Sequence, residues 1–333
     1  MRARGSVQIR DLSAASGEQV RGWIDYGETA SGSLRIPLVL INGREEGPRL
    51  CLTAGVHATE YAPIDAVMRL VQALDPAQLR GTVIAVPVTN VRMFESRTGF
   101  VSPLDGLNLN KIAPGRADGS ISEILADVLL REVIGAAEYH IDFHAGDLGE
   151  ELQPFAGYSL TGFADLDAKG EALARAFSPM LISLSTPEST IPPFPGSLSY
   201  AATRNGVVSI LAEAGGDGTL KEEDVRVHVD GAMSVMRHLA MIDGAAPPNA
   251  GTRCLAARDR VVIRAKRAGL VRLTARIGDR ISAGQELGDI RSIFGEVVER
   301  VCANGDGIVG LIWTHKVVNT GDPILRYWIT EPA

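Results

Sequence analysis

The feature that most constrains this chain is a repeated exchange of hydrophobic period between residues 33 and 242. SLRIPLVLING (33–43), RLCLTAGVH (49–57), GTVIAVPVTN (81–90), YHIDFHAG (139–146), PMLISLS and VVSILAEAGG (207–216) are short apolar runs of strand length. Between them lie stripes of helical spacing. Ile64, Val67, Met68, Val71 and Leu74 recur at i, i+3, i+4 and i+7 before Pro76, with Pro63 in a first helical turn. Ile121, Ile124, Leu125, Val128 and Leu129 repeat the pattern behind a cap at Ser120 or Ser122, and further helices are expected near 165–177 and 222–242. Strands alternating with helices of this length predict an α/β fold, with a mostly parallel sheet covered on both faces.

The texture changes after GAAPPNAGTRC (244–254), a Pro/Gly/Asn-rich connector. Beyond it, short Val/Ile runs alternate with GD, AG, GE and NGDG turns, and no amphipathic stripe appears. Two domains are therefore expected, an α/β unit over 1–248 and a small all-β unit over 249–333. AGLVRLTARIGDRISAGQELGDI and DGIVGLIWTHKVVNTGDPILRYW are loosely similar, as two halves of a β-sandwich would be. The tail resembles the barrel-sandwich hybrid of biotinyl and lipoyl carriers. It has no Lys-Met motif for a carried cofactor, so a structural or gating role is expected of it.

The chain has 333 residues and a formal charge of −7, against nucleic acid or an anionic membrane as main partner. No apolar run nears the roughly 20 residues that span a bilayer, and the N-terminus lacks a signal-peptide core. Three cysteines, far apart and without a CxxC pair, speak against a disulfide framework or thiolate metal site and for a reducing cytoplasm. GxSxG, GxGxxG and P-loop motifs are all missing, which disfavours a serine hydrolase or a nucleotide enzyme.

In open α/β sheets, ligands gather at the carboxyl ends of strands. His57, Asn90, His144 and Glu213 all stand at such predicted ends. His57 and Glu60 form an H-x-x-E pair in GVHATEYAP, able to bring imidazole and carboxylate to one ion. Alone, the pair reads equally well as a satisfied histidine beside a capping glutamate. His140 and His144 share a strand face about 13 Å apart, so only His144 reaches the edge with His57. Asp142 between them either orients a ligand imidazole or is a hydrogen-bonded strand residue. Glu213, ending the apolar run SILA, is a candidate general base. The long loop after residue 90 supplies Arg92, Arg97, Asn108, Asn110 and Lys111, among which composition singles out no arginine.

In this order, GVHATEYAP, SRTGFVSPLDGLNLNKIAPG, HIDFHAG and LAEAGG resemble the succinylglutamate desuccinylase/aspartoacylase family of the zinc carboxypeptidase-like superfamily, over residues 35 to 245. Within the family, the tail and the DGLNLN loop look like those of N-acetyl-diaminobutyrate deacetylases. The resemblance implies one zinc ion per chain, with His57, Glu60 and His144 as ligands, and Glu213 as general base and later proton donor. Arg97 falls on the arginine that polarises the scissile carbonyl. Asn110 and Lys111 fall on an Asn-Arg pair that grips the substrate carboxylate. Lysine there is a point charge without the bidentate fork, which weakens a specific grip. The expected activity is hydrolysis of a small N-acyl amino acid or N-acyl amine. A carboxypeptidase-like peptide hydrolase, or a metal-dependent binding protein without turnover, are the rivals. Partners reduce to the small-molecule substrate and, as an open possibility, further copies of the chain.

Overall fold

The computed structural model describes residues 5–177, 181–185, 195–245 and 255–332. The N-terminal stretch forms a hairpin, β1 (Val7–Ile9) and β2 (Leu12–Ala14), and then a long antiparallel pair, β3 (Glu18–Thr29) and β4 (Gly32–Asn42). The α/β part follows as β5 (Glu45–Thr53), α1 (Tyr61–Ala73), β6 (Arg80–Val86), α2 (Val91–Ser96), α3 (Ile121–Val128) and β7 (Tyr139–His144). It continues through β8 (Glu150–Ser159), α4 (Ala164–Phe177), β9 (Leu181–Ser185), α5 (Leu198–Arg204), β10 (Val208–Gly216) and α6 (Glu222–His238). The tail is all strand: β11 (Leu255–Arg264), β12 (Gly269–Leu273), β13 (Arg280–Ile281), β14 (Glu286–Arg291), β15 (Val297–Cys302), β16 (Gly307–Trp313), β17 (Val317–Val318) and β18 (Pro323–Pro332).

Twelve of the described strands join one mixed sheet, in the order β3-β4-β6-β5-β7-β10-β8-β9-β11-β18-β16-β13. Its centre is parallel: β5 pairs with β6 and β7, and β7 with β10. One face packs Leu50, Leu52, Ile141, Phe143, Ile210 and Ala212 under α1, α4 and α6. The other face meets α3 and α5 around Ile36, Leu38, Leu40, Cys51, Ile84 and Val86. The expected α/β architecture is present, with helices on both faces and β-rich residues after 255.

Three features go beyond the sequence reading. Residues 18–29, before the first apolar run of the sequence, form the edge strand β3, with Ile24 against Ile36. Ile24 and Tyr26 are buried while Trp23 and Asp25 face out, a half-polar alternation that hides an edge strand. The loop after residue 90 contains the short helix α2 and a 3-10 turn at Leu109–Lys111. The tail is also divided between two sheets: β12, β14, β15 and β17 form a four-stranded sheet of their own, while its other strands extend the large one. β11 pairs in parallel with β9, and β16 pairs with β8, so the sheet continues from the α/β part into the tail. The tail keeps its own core, including Val271, Ile290, Val301, Val309, Leu325 and Tyr327. Most of the connector (246–254), with the boundary at 248/249, and the start of the strand expected at 179–185 lie outside the described residues.

Candidate metal centre and active-site cavity

The site grows from the polar face of three neighbouring strands. In register, Thr53 of β5 stands beside Asp142 of β7. Across β7 and β10, His140 lies beside Ser209, Asp142 beside Leu211, and His144 beside Glu213. Side chains two apart share a face, so His140, Asp142, His144, Ser209 and Glu213 form one stripe. Their odd-numbered neighbours on β7, Ile141 and Phe143, fill the opposite core.

His144 ends its strand. His57 lies beyond the end of β5, in the turn before α1, and Glu60 is the N-cap residue of that helix. Glu60 makes no side-chain cap hydrogen bond, so it is not a capping glutamate. Its Oε1 lies 2.8 Å from His57 Nδ1, and its Oε2 lies 3.0 Å from His144 Nδ1. Oε2 also accepts from the Ala145 N–H at 3.1 Å. One ligand atom from each of His57, Glu60 and His144 lies within 4.8 Å of the others, and all three residues are buried. Such a group can hold a divalent ion.

The outward nitrogens are held from behind. Asn108 Oδ1 lies 3.1 Å from His57 Nε2, and Asp142 Oδ2 lies 3.3 Å from His144 Nε2. The second contact has an ion-pair distance without hydrogen-bond alignment, and neither atom has another hydrogen bond. Asp142 Oδ1 accepts from Thr53 Oγ1 at 2.7 Å. With its proton so committed, Thr53 accepts from His140 Nε2 at 2.8 Å, and Ser209 Oγ donates to His140 Nδ1 at 2.8 Å. His140 is thus a neutral, fully paired histidine away from the ion group. Burial depresses its pKa to about 4. Phe100 packs edge-on to His57, with ring centroids 5.8 Å apart. Its loop is tied down by Asp147, whose carboxylate accepts from the Phe100 N–H at 2.6 Å and from Thr59 Oγ1.

Charge in this cluster is strongly mixed. Burial opposes ionisation of Glu60, but His144 and His57 outweigh it and lower its pKa to about 2. Burial likewise disfavours protonated His144, yet Glu60 and Asp142 raise its pKa well above the usual range. Glu213 moves the other way. Burial, reinforced by Glu60 and Glu150 against the pull of His144, raises its pKa well above the ordinary carboxylate value. A carboxyl group with a raised pKa beside metal-binding residues is suited to proton exchange.

Glu213 and His57 open on a cavity of about 420 Å³. Its sheet side is made by Ser209 and Leu211 of β10 with Phe155 and Gly157 of β8. Asn108, Asn110 and Lys111 line it from the long loop, and Ser199 and Thr203 from α5. Asn110 Oδ1 accepts from the Leu198 N–H at 3.2 Å, which ties the loop to α5. Arg97 is not among the lining residues; it is exposed, in a left-handed conformation, and ends α2. Asn90 caps α2 and is not part of the site. Arg260, Arg326 and Trp328 of β11 and β18 also line the cavity. No local motif around them marked the tail as a contributor: Arg260 stands in a run, LAARDRVVIR, that carries other charged residues.

Fold and site together define an α/β protein with a buried His/Glu/His group able to hold a metal ion at the edge of a cavity. The model of the succinylglutamate desuccinylase/aspartoacylase catalytic domain matches residues 46–239, and the chain belongs to that family. A curated relative, the N-alpha-acetyl-L-2,4-diaminobutyric acid deacetylase of Halomonas elongata, is 29% identical over 308 residues, 90% of this chain and 87% of its own. Among solved structures, a succinylglutamate desuccinylase/aspartoacylase from Rhodobacter sphaeroides has a TM-score of 0.83 at 24% identity, covering 94% of this chain and 96% of its own. The product-bound ectoine utilization protein EutE (DoeB) from Ruegeria pomeroyi has a TM-score of 0.84 at 24% identity, covering 94% and 95%. The family is one of deacylases, which supports amide hydrolysis as the reaction class.

Proposed function

We propose that this chain is a zinc-dependent hydrolase that cleaves the linear amide of a small N-acyl amino acid or N-acyl amine. The observation that carries the reading is the pairing of Glu213 with His144 across β7 and β10, beside the cavity that His57 also lines. Two buried imidazoles and a carboxylate, with the outward ring nitrogens backed by Asn108 and Asp142, suit zinc. Bound there, zinc would polarise the acyl carbonyl and acidify water.

The remaining work falls to the chain's own side chains. Glu213 accepts a proton from the attacking water and returns it to the leaving amine. Its Oε2 has no hydrogen-bond partner, so it is not committed elsewhere. Asn110 and Lys111 offer an amide and a cation for the substrate carboxylate. Arg97 precedes by three residues the Phe100 that packs on His57, and its long side chain is our candidate for the developing oxyanion. The test is hydrolysis of acetylated and succinylated amino acids by zinc-loaded protein, beside a panel of short peptides. Release of free amine from the N-acyl compounds is the expected result. Exclusive cleavage of peptide C-termini, or binding with no product, would overturn it.

A further inference from the structure

A hydrogen-bond chain runs across the sheet from Asp142, behind His144, to the cavity wall, and its polarity is fixed from one end. Thr53 donates its only hydroxyl proton to Asp142 Oδ1 at 2.7 Å, so toward His140 Nε2 at 2.8 Å it can only accept. The ring proton of His140 therefore sits on Nε2. Burial keeps that ring neutral, with its pKa lowered to about 4, so Nδ1 holds a bare lone pair. Ser209 Oγ, 2.8 Å away, gives its own proton to that lone pair. Among the described residues, no other group hydrogen-bonds the Ser209 hydroxyl. Ser209 lines the cavity, and what it presents there is an oxygen with lone pairs and no proton to offer.

Register sets the distance of this acceptor from the reacting end. Ser209, Leu211 and Glu213 alternate along β10, and all three line the cavity. Four residues of strand separate the serine from the base, about 13 Å. On the neighbouring strand β8, Phe155 stands beside Glu213 and Gly157 beside Leu211, and Ser159 follows on the same face. The two strands thus lead from a carboxyl suited to proton exchange, past an apolar middle, to hydroxyls. Lys111, Arg260 and Arg326 line the cavity as well, so a neutral donor meets less repulsion there than an ammonium.

We propose that Ser209 is a specificity-determining acceptor, set by His140, that selects substrates whose far arm ends in a neutral N–H donor such as a carboxamide, a short apolar link away from the scissile amide. Its place in a reaction rests on the hydrolase reading, but its binding preference can be measured apart from turnover. A carboxamide N–H meets the lone pairs of Ser209, whereas a terminal ketone would set two acceptors face to face. An unattached serine would turn its proton to suit either. Here the reversal would set the lone pairs of Thr53 and His140 against each other, and both residues are fully buried.

The experiment uses isosteric pairs that differ only in an NH2 or CH3 at the end of the arm. Glutaramoyl-alanine and 5-oxohexanoyl-alanine carry the difference on the acyl side. N-acetyl-glutamine and N-acetyl-2-amino-5-oxohexanoate carry it on the amine side. Zinc-loaded wild type is compared with Ser209→Ala, Ser209→Thr and His140→Phe. Wild type should prefer the carboxamide of at least one pair by about tenfold in kcat/KM, the size of one hydrogen bond. Ser209→Ala should bring that ratio to within about twofold, mainly through KM, and Ser209→Thr should keep most of it. His140→Phe frees the hydroxyl, so the ketone should gain on the carboxamide; this variant carries the test should Ser209→Ala fail to fold. A serine held for structure alone would slow both members of a pair equally. Ratios near one in both wild-type pairs, or a ratio that survives Ser209→Ala, would overturn the acceptor and leave the hydrolase standing. Calorimetric binding of the same pairs to zinc-loaded Glu213→Gln, with and without Ser209→Ala, gives the ratio without turnover. A serine-dependent preference there, with no amide hydrolysed by wild type, would keep the acceptor and remove the hydrolase. Failure of both readouts would remove both.

Discussion

His144 and Glu213 are register partners on the adjacent parallel strands β7 and β10. One belongs to the group that could hold a metal ion, and the other carries a carboxyl whose pKa burial raises well above its usual range. This relationship ties the expected base to the expected ion through the sheet backbone itself. Glu213→Gln keeps the shape and removes the basicity. It should retain metal and fold while lowering kcat by about 10²–10⁴-fold. Metal analysis and steady-state kinetics on the same preparation check this, and full turnover would remove the base assignment.

Asp142 backs His144 at 3.3 Å while accepting from Thr53. Asp142→Asn loses the charge that orients the imidazole. Metal affinity should fall by about 10–100-fold, measured by competition with a chromophoric chelator. Unchanged affinity would make Asp142 a strand residue held for structure alone.

The cavity wall contributed by the tail depends on a glycine. A Cβ at Gly310 would fall inside the Trp328 indole, which is buried and packs edge-on to Phe155 at 5.4 Å. Gly310→Ala should destabilise the fold by about 1–3 kcal/mol. Thermal unfolding reads this, and a melting temperature equal to wild type would contradict the packing.

His228 lies between Phe143 and Phe177, and its Nε2 donates to the Ala214 carbonyl at 3.1 Å. Burial lowers its pKa from 6.5 to about 4. The unfolded chain then binds more protons than the folded one between these values. The stabilising effect of the neutral ring is full above pH 6.5 and is lost as pH falls through about 4. Urea unfolding of wild type and His228→Phe across that window should give a shallower acid loss in the variant. Parallel curves would contradict the shift.

Much of this was legible in the sequence, because the periods of strand and helix were strong between residues 33 and 242. The H-x-x-E pair and the polar spacing of His140, Asp142 and His144 identified the edge of the sheet. What the sequence hid was non-local. Glu150–Ser159 mixes polar and apolar residues without clean alternation, and it sits between β10 and β9 as a strand that lines the cavity. Arg260 and Arg326 look like ordinary surface arginines until β11 joins β9 and the sheet runs on into the tail. Asn108 stood in a loop whose fold depends on pairings with His57 and with its own 3-10 turn.

The central claim is that His57, Glu60 and His144 jointly hold the ion on which hydrolysis depends. The most direct measurement is zinc content by mass spectrometry together with amide turnover, for wild type and His144→Ala. We expect about one zinc per wild-type chain, and a parallel loss of metal and activity in the variant. A variant that keeps its full metal content, or wild type that turns over unchanged after the metal has been stripped, would contradict the account.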